Sequence, residues 1–100
     1  MIKSFKDKDA EKIFYGIYAK RFDKRFQFKI RQKLKELDAA AQIGDLRVPR
    51  SNHLGKLTGN YKEFWSISIK RGDKEYGGYR ILFKWKDNAP FDVMILDYHK

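Results

Sequence analysis

One run of apolar residues with helical spacing constrains the fold of this chain more than any other feature. Its members recur at intervals of four, four, four, three and four residues and are Phe22, Phe26, Ile30, Leu34, Leu37 and Ala41. This spacing places them along one face of an amphipathic helix. The other face is basic and carries Lys24, Arg25, Lys29, Arg31, Lys33 and Lys35. The pattern predicts a long helix with a buried face and a basic face, which stops at Gly44.

A short strand and a first helix are predicted upstream of this long helix. Residues 2–5 alternate in the manner of a strand. Asp7 or Asp9 is suited to cap a helix that begins near Ala10, because a carboxylate accepts hydrogen bonds from the backbone of a first helical turn. Gly16 is expected to weaken this helix by about 1 kcal/mol relative to alanine. The apolar stripe of the predicted helix is Ile13, Phe14 and Ile17.

The C-terminal part of the chain has the periodicity of β-strands. In residues 64–70 and 79–86 the odd-numbered positions are apolar and most even-numbered positions are polar. Residues 91–98 are more continuously apolar, which is typical of a strand buried on both faces. We therefore predict a single α+β domain over residues 1–100, with a small antiparallel sheet and two N-terminal helices packed on one face.

The strongly basic composition narrows the possible partners. The chain has 23 Lys and Arg against 13 Asp and Glu, which gives a formal net charge of +10. Such an excess attracts nucleic acid, an anionic membrane surface or an acidic protein. No apolar run approaches the roughly 20 residues that a bilayer-spanning helix needs. Residues 1–5 show no apolar signal segment. We therefore expect a cytoplasmic protein without a membrane partner.

Metal and cofactor sites are not expected in this chain. It has no cysteine, which excludes disulfides and thiolate ligands. Its two histidines, His53 and His99, are too few for a structural metal site without cysteine. No P-loop or dinucleotide-binding motif is present. The sequence therefore predicts neither a metal nor another cofactor.

A long loop is predicted between the second helix and the strands, at residues 45–60. Loops of this length in compact domains are usually functional. We predict that basic residues in the loop and near the next turn hold phosphates. These residues are Arg47, Arg50, Lys56, Arg71 and Lys74. For each of them alone, a solvated surface position remains the alternative.

Five segments of the sequence, in this order, resemble HigB-type toxins of the RelE-like superfamily. They are residues 1–6, 54–59, 64–69 (Phe-Trp-Ser-Ile-Ser-Ile), 79–83 (Tyr-Arg-Ile-Leu-Phe) and 97–99 (Asp-Tyr-His). The resemblance implies a RelE-like fold and the toxin of a type II toxin–antitoxin system. It further implies an endoribonuclease that cleaves mRNA on the ribosome without a metal. The implied partner is a HigA-like helix-turn-helix antitoxin, which neutralises the toxin in a hetero-oligomer.

The resemblance also brings together the candidate catalytic residues. RNA cleavage without a metal needs a base, an acid and a cation that stabilises the charged phosphorane. His99 and His53 suit acid–base work, because the pKa of histidine lies near neutrality. Arg80 is suited to bind phosphate through two hydrogen bonds. Asp97 is a candidate to orient a histidine or accept a proton, with Arg80 as its own candidate partner, and Tyr98 is a candidate to stack on a base.

Each catalytic candidate has an alternative that the sequence leaves open. His99 can be a solvated residue near the chain end, and Arg80 can be an ordinary surface arginine. The sequence also departs from the family pattern, since residues 70–78 are longer and more polar than usual and Thr58 stands where many relatives have lysine. A non-catalytic, basic RNA-binding module of the same fold is therefore an alternative function. A basic protein that mainly holds an acidic partner is a third.

Overall fold

The computed structural model describes residues 1–71 and 74–97. Two helices precede a four-stranded antiparallel sheet with the strand order β1-β2-β3-β4. The helices are α1 (Lys8–Phe14) and α2 (Lys24–Ala39), and the strands are β1 (Gly55–Lys56), β2 (Trp65–Arg71), β3 (Lys74–Lys86) and β4 (Ala89–Asp97). This architecture confirms the predicted α+β class and is consistent with a RelE-like fold.

Both helices pack on the same face of the sheet. The register aligns Ile67 of β2, Ile81 of β3 and Ile95 of β4 across three strands, and each of them is at most 2% exposed. Ile30, Leu34 and Leu37 of α2 belong to the same buried cluster. Burial of one such side chain stabilises the fold by about 1.5–3 kcal/mol, so these six side chains form a substantial part of the core.

Helix α1 is shorter than predicted, because a glycine turn ends it. Asp7 is its N-cap and accepts from the backbone N–H groups of Asp9 and Ala10 at 2.9 and 3.3 Å. At the other end Gly16 has a φ of +81°. The Gly16 N–H donates to the Ile13 carbonyl, and the Ile17 N–H donates to the Lys12 carbonyl. These two hydrogen bonds form a Schellman motif. Gly16 therefore terminates α1, and the placement of Ile17 in the apolar stripe was wrong.

Helix α2 also ends earlier than predicted. It stops at Ala39, and Ala40 is extended. The Asp45 carboxylate then accepts from the backbone N–H groups of Ala41 and Gln42 at 2.9 and 3.0 Å, which starts the 3₁₀ helix Ile43–Arg47. Gly44 lies inside that 3₁₀ helix, so its prediction as the helix stop was wrong.

The predicted loop at residues 45–60 contains further short elements. The 3₁₀ helices Arg50–Asn52 and Gly59–Tyr61 lie on either side of β1. Two of its side chains, Leu46 and Asn52, are almost fully buried. The segment is therefore anchored to the core, although much of its surface is exposed.

Strand β4 lies at the edge of the sheet and not in its interior. Residues 3–6 run beside it, with the Lys6 N–H donating to the Val93 carbonyl and the Val93 N–H donating to the Ser4 carbonyl. Only the Phe5–Val93 pair forms a β-bridge, so the predicted first strand at residues 2–5 is reduced to one bridge. Met94 and Leu96 are only partly buried. The prediction that this strand is buried on both faces was wrong.

An ion pair continues the cover of the β4 edge beyond residue 93. The Asp7 carboxylate accepts from the Ile95 N–H at 3.1 Å, and the Arg21 guanidinium donates to the Ile95 carbonyl at 2.9 Å. Asp7 Oδ2 and Arg21 Nη2 are 3.0 Å apart. This arrangement, the Asp7–Arg21 clamp, links the start of α1 to the end of β4.

Replacing Asp7 with alanine should lower the free energy of unfolding by about 2–4 kcal/mol. The substitution removes a helix cap that contributes about 1 kcal/mol. It also leaves the Ile95 N–H without its hydrogen-bond acceptor, which costs about 1–3 kcal/mol. Asp9→Ala is the matched control, since Asp9 contacts Arg21 at 3.4 Å from the same helical turn and should contribute less than about 1 kcal/mol. Urea denaturation measures both, and equal losses would contradict a special role for Asp7.

The N-terminus of α2 carries an ion pair that shifts the pKa of its capping residue. The Asp23 carboxylate and the Arg25 guanidinium are 2.7 Å apart. The hydrogen bond from the Arg25 side chain, helped by that from the Arg25 N–H, lowers the pKa of Asp23 from 3.8 to about 2. A lowered folded-state pKa favours folding above pH 3.8, and this contribution is lost as the pH falls towards 2.

Replacing Arg25 with glutamine should return the pKa of Asp23 most of the way towards 3.8. The charged donor is lost, whereas the backbone N–H of residue 25 still reaches the carboxylate at 2.9 Å. Carboxyl ¹³C NMR titration measures the change. Lys24→Gln removes a neighbouring charge without this hydrogen bond and should leave the pKa almost unchanged. A similar shift in both variants would mean that general charge, and not the Arg25 contact, sets the value.

Candidate nucleic-acid interface

The sheet has a second face, opposite the helices, on which the polar strand residues lie. Successive side chains of a strand point to opposite faces, so Ser66 and Ser68 of β2 face away from Ile67. Arg80 of β3 is the register partner of Ser68 on one side and of Leu96 on the other. We call this surface, defined by Ser66, Ser68, Arg80 and Leu96, the serine–arginine face.

Arg80 is held in a fixed orientation on this face by two serines. Its Nε and Nη2 lie 3.2 and 2.9 Å from the Ser66 hydroxyl oxygen, and its Nη1 lies 2.7 Å from that of Ser68. Both serines are fully buried, where a hydroxyl without a hydrogen bond would be costly. Contacts on several nitrogens fix the plane of the guanidinium. Arg80 is thus only partly exposed, unlike the surface arginine of the alternative interpretation.

The backbone of His53 lies beside Arg80. Its carbonyl oxygen is 3.4 Å from Arg80 Nη2. His53 ends the 3₁₀ helix Arg50–Asn52 in a left-handed conformation, with φ 47° and ψ 52°, a backbone region that few non-glycine residues adopt. Its side chain is exposed. The fold therefore joins two of the sequence-predicted catalytic residues, although they are distant in the chain.

A buried lysine anchors the segment that carries His53. The Lys33 ammonium of α2 lies 2.7 Å from Asn52 Oδ1 and 3.2 Å from Glu36 Oε1. Asn52 Nδ2 donates to the Leu46 carbonyl at 3.1 Å. Lys33 is only 3% exposed, so its assignment to the solvated basic face of α2 was wrong. The helical pattern did not indicate that the 3₁₀ segments would cover this part of the helix.

Strands β2 and β3 lose their regular register next to Arg80. Ser68 pairs with Arg80, whereas Lys70 pairs with Glu75, so four residues of β3 lie opposite one residue of β2. Gly78, within these four, has a φ of +79°, which glycine adopts without steric cost. On β3 the irregular part is residues 76–79, which overlaps residues 70–78, where the sequence departs from the family pattern. This departure therefore lies directly beside the candidate site.

Two other predicted residues lie towards the opposite face. Asp97 pairs with Tyr79, so the register directs Asp97 and Arg80 to opposite faces and does not support the predicted pairing of their side chains. Lys56 pairs with Trp65, on the side of the helices. Its ammonium contacts the Lys62 carbonyl and lies 6.0 Å from the centre of the Trp65 ring.

The remaining predicted residues are only partly covered by the structure. Arg47 and Arg50 are exposed in the short helices that precede His53. The side chains of Arg71 and Lys74 lie outside the described part of the chain, as do the residues Tyr98 and His99. The candidate catalytic triple 97–99 thus begins one residue after Leu96, the register partner of Arg80.

Lys84, a further cation of β3, is already paired. Its ammonium lies 3.4 Å from both Glu63 and Asp92. Burial by itself would lower the pKa of Lys84, but its hydrogen bonds to Asp92 and Glu63 outweigh that effect and raise it. Two carboxylates next to this lysine make it a poor phosphate ligand compared with the exposed loop arginines.

The described residues offer neither a metal-ligand cluster nor a membrane-spanning helix. Within residues 1–71 and 74–97, no three or more His, Asp or Glu side chains are grouped in a way that could hold a metal ion. Of the helices in the described ranges, none has the length and apolar character that crossing a bilayer requires.

The sequence matches the HigB-like toxin family, described as the RelE-like toxin of the type II toxin-antitoxin system HigB, over residues 3–99. Toxin HigB-1 of Vibrio cholerae serotype O1 is 38% identical over 69 residues, which cover 69% of this chain and 65% of that protein. Endoribonuclease HigB of Proteus vulgaris is 29% identical over 104 residues, which cover 99% of this chain and 100% of that protein. The family match includes every helix and strand described above.

Replacing Asn52 with alanine should destabilise the protein by about 1–3 kcal/mol, because the buried Lys33 ammonium loses its shortest hydrogen bond. The same change should cost less in a Lys33→Met background, where no buried charge remains. A double-mutant cycle by chemical denaturation measures this coupling, and amide hydrogen exchange at residues 53–56 measures the loosening of the loop. If the effects of the Asn52 and Lys33 substitutions add within about 0.5 kcal/mol, the two side chains are not coupled, which would contradict the proposed anchor.

Proposed function

The chain belongs to the HigB-like family of RelE-like toxins of type II toxin–antitoxin systems, and on this basis we propose that it is a ribosome-dependent, metal-independent mRNA endonuclease. The Proteus relative is an endoribonuclease by name, which supports RNA cleavage as the activity. The structural observation that carries the proposal is the fixed guanidinium of Arg80 on the face opposite the helices, beside His53.

Arg80 supplies the electrostatic part of the proposed reaction. When a ribose 2′-oxygen attacks the adjacent phosphate, negative charge grows on the non-bridging oxygens. A guanidinium that is already oriented stabilises this charge without having to reorganise during the reaction. The serine hydroxyls and the His53 carbonyl hold that orientation, and Arg80 remains partly exposed, so a phosphate can reach it.

The proton transfers are assigned to residues at and near the chain end. We propose His99 as a general acid or base, with Asp97 orienting it or accepting a proton. Tyr98 would stack on a base of the mRNA. The exposed His53 is a second candidate for acid–base work, since its backbone already contacts Arg80.

The basic residues around the loop are proposed to guide the RNA backbone. Arg47 and Arg50 are exposed close to His53 along the chain, and Lys56, Arg71 and Lys74 extend the set. The net charge of +10 favours association with the ribosome and its mRNA. Because translating ribosomes are the proposed target, the cytoplasm is the proposed place of action.

The proposed partner that limits this activity is a HigA-like antitoxin with a helix-turn-helix domain. Membership of a type II toxin family implies an antitoxin, and the two proteins would form a hetero-oligomer in which the toxin is inactive. The helix-turn-helix would allow the antitoxin to bind DNA as well.

Arg80→Ala should lower the rate of mRNA cleavage on programmed ribosomes by about 10²–10³-fold, the usual loss when an electrostatic stabiliser is removed. Arg80→Lys should recover only part of it, since an ammonium lacks the planar fork. Lys86→Ala removes an exposed cation from the same strand and should cleave normally. Wild-type cleavage should depend on ribosomes and persist in EDTA.

Two results would contradict the proposal. Full cleavage by Arg80→Ala, with a melting temperature like that of the wild type, would remove Arg80 from the site. Wild-type protein that binds ribosomes and leaves mRNA intact would favour the non-catalytic RNA-binding module.

A further inference from the structure

An exposed apolar patch lies on the helical side of the molecule, away from the serine–arginine face. Phe28 is 79% exposed, and Ile17 and Tyr18 are each 56% exposed. They line one groove of about 280 Å³ between the end of α1 and the start of α2, together with Ile13, Gln27 and Arg31. We call these three exposed residues the Ile17–Tyr18–Phe28 patch. Large apolar side chains grouped at the surface mark an interaction site more often than isolated ones do.

The patch is held in shape by polar contacts behind it. The Gln27 side chain accepts from the Ala19 N–H at 3.0 Å and donates to the Ala19 and Phe22 carbonyls. These bonds fix the segment that connects α1 to α2. Arg31 Nε donates to the Phe14 carbonyl at 3.2 Å, which ties the C-terminal end of α1 to α2. A preformed surface loses less conformational entropy when it binds a partner.

Charge at the patch selects the kind of partner. Phe28, Arg31 and Lys35 follow one another at spacings of three and four residues, so they share one face of α2. Both basic residues line a second groove that adjoins Phe28. The Lys35 ammonium also lies 4.4 Å from the centre of the Phe14 ring. The surface therefore offers an apolar patch with positive charge along one side.

From this arrangement we infer that the Ile17–Tyr18–Phe28 patch is a docking surface for an apolar, acidic segment of the antitoxin. The inference rests on the proposed function, since it needs a type II antitoxin as the partner. Apolar side chains of the segment would cover Phe28 and Ile17, and its carboxylates would face Arg31 and Lys35. A second copy of this chain fits less well, because it would bring the same cations together.

The matched pair of variants Phe28→Asp and Val48→Asp tests the inference. Both replace a highly exposed apolar residue by a carboxylate, and Val48 is 77% exposed outside the patch. Phe28→Asp should weaken binding of the purified cognate antitoxin by about 30-fold or more, as at an interface hot spot. Val48→Asp should bind the antitoxin normally, and Phe28→Asp should cleave mRNA like the wild type. Isothermal titration calorimetry and the ribosome cleavage assay are the measurements.

Lys35→Glu tests the electrostatic half of the inference. It should weaken antitoxin binding and make the remaining affinity less sensitive to salt, because an attractive charge pair has been lost. A binding affinity that does not change in this variant would overturn the acidic character assigned to the partner.

The outcomes separate the inference from the proposed function. If the wild type binds no antitoxin and cleaves no mRNA, the proposed function itself fails. If the wild type binds the antitoxin and Phe28→Asp binds it equally well, only the docking surface is wrong. Loss of ribosome binding in Phe28→Asp would assign the patch to RNA. A wild-type dimer that Phe28→Asp dissociates, seen by light scattering, would assign it to a second copy.

Discussion

Helices α1 and α2 pack on a row of three isoleucines, Ile67, Ile81 and Ile95, and the other parts of the molecule take their positions from this contact. The row fixes the register of the three long strands, because a shift by one residue would turn each isoleucine to the opposite face. It also fixes which side chains face away from the helices. Arg80 reaches the serine–arginine face because it follows Tyr79 and precedes Ile81, both of which are buried against the helices.

The two faces of the sheet therefore carry different features of the molecule. One face carries the helices and, beyond them, the Ile17–Tyr18–Phe28 patch. The other carries Arg80 and the backbone of His53. Lys33 connects the two layers, since it extends from α2 to Asn52, the residue before His53. A change in helix packing would therefore reach the candidate site through this buried hydrogen bond as well as through the strand register.

Strong periodicity in the sequence predicted the main elements well, and local hydrogen bonds explain most of the differences. The spacing of Ile30, Leu34 and Leu37 placed them correctly in the core. The ends of both helices were misplaced, because Gly16 and Asp45 bind backbone groups in ways that no apolar pattern records. Arg80 was predicted as a phosphate ligand from its guanidinium chemistry and the family resemblance, and this role stays a prediction. Its contact with the His53 carbonyl was not predictable, since it depends on how the loop folds back over β2.

The covered edges of the sheet have a consequence for how this protein behaves at high concentration. The unpaired backbone groups of an open edge strand can pair with a strand of another chain, which leads to aggregation or to domain swapping. Here β1 offers only two residues. At the other edge, residues 3–6 and the Asp7–Arg21 clamp occupy β4 from its start to Ile95. Strand addition at this edge is therefore blocked up to Ile95, and a binding partner must use side-chain surfaces instead.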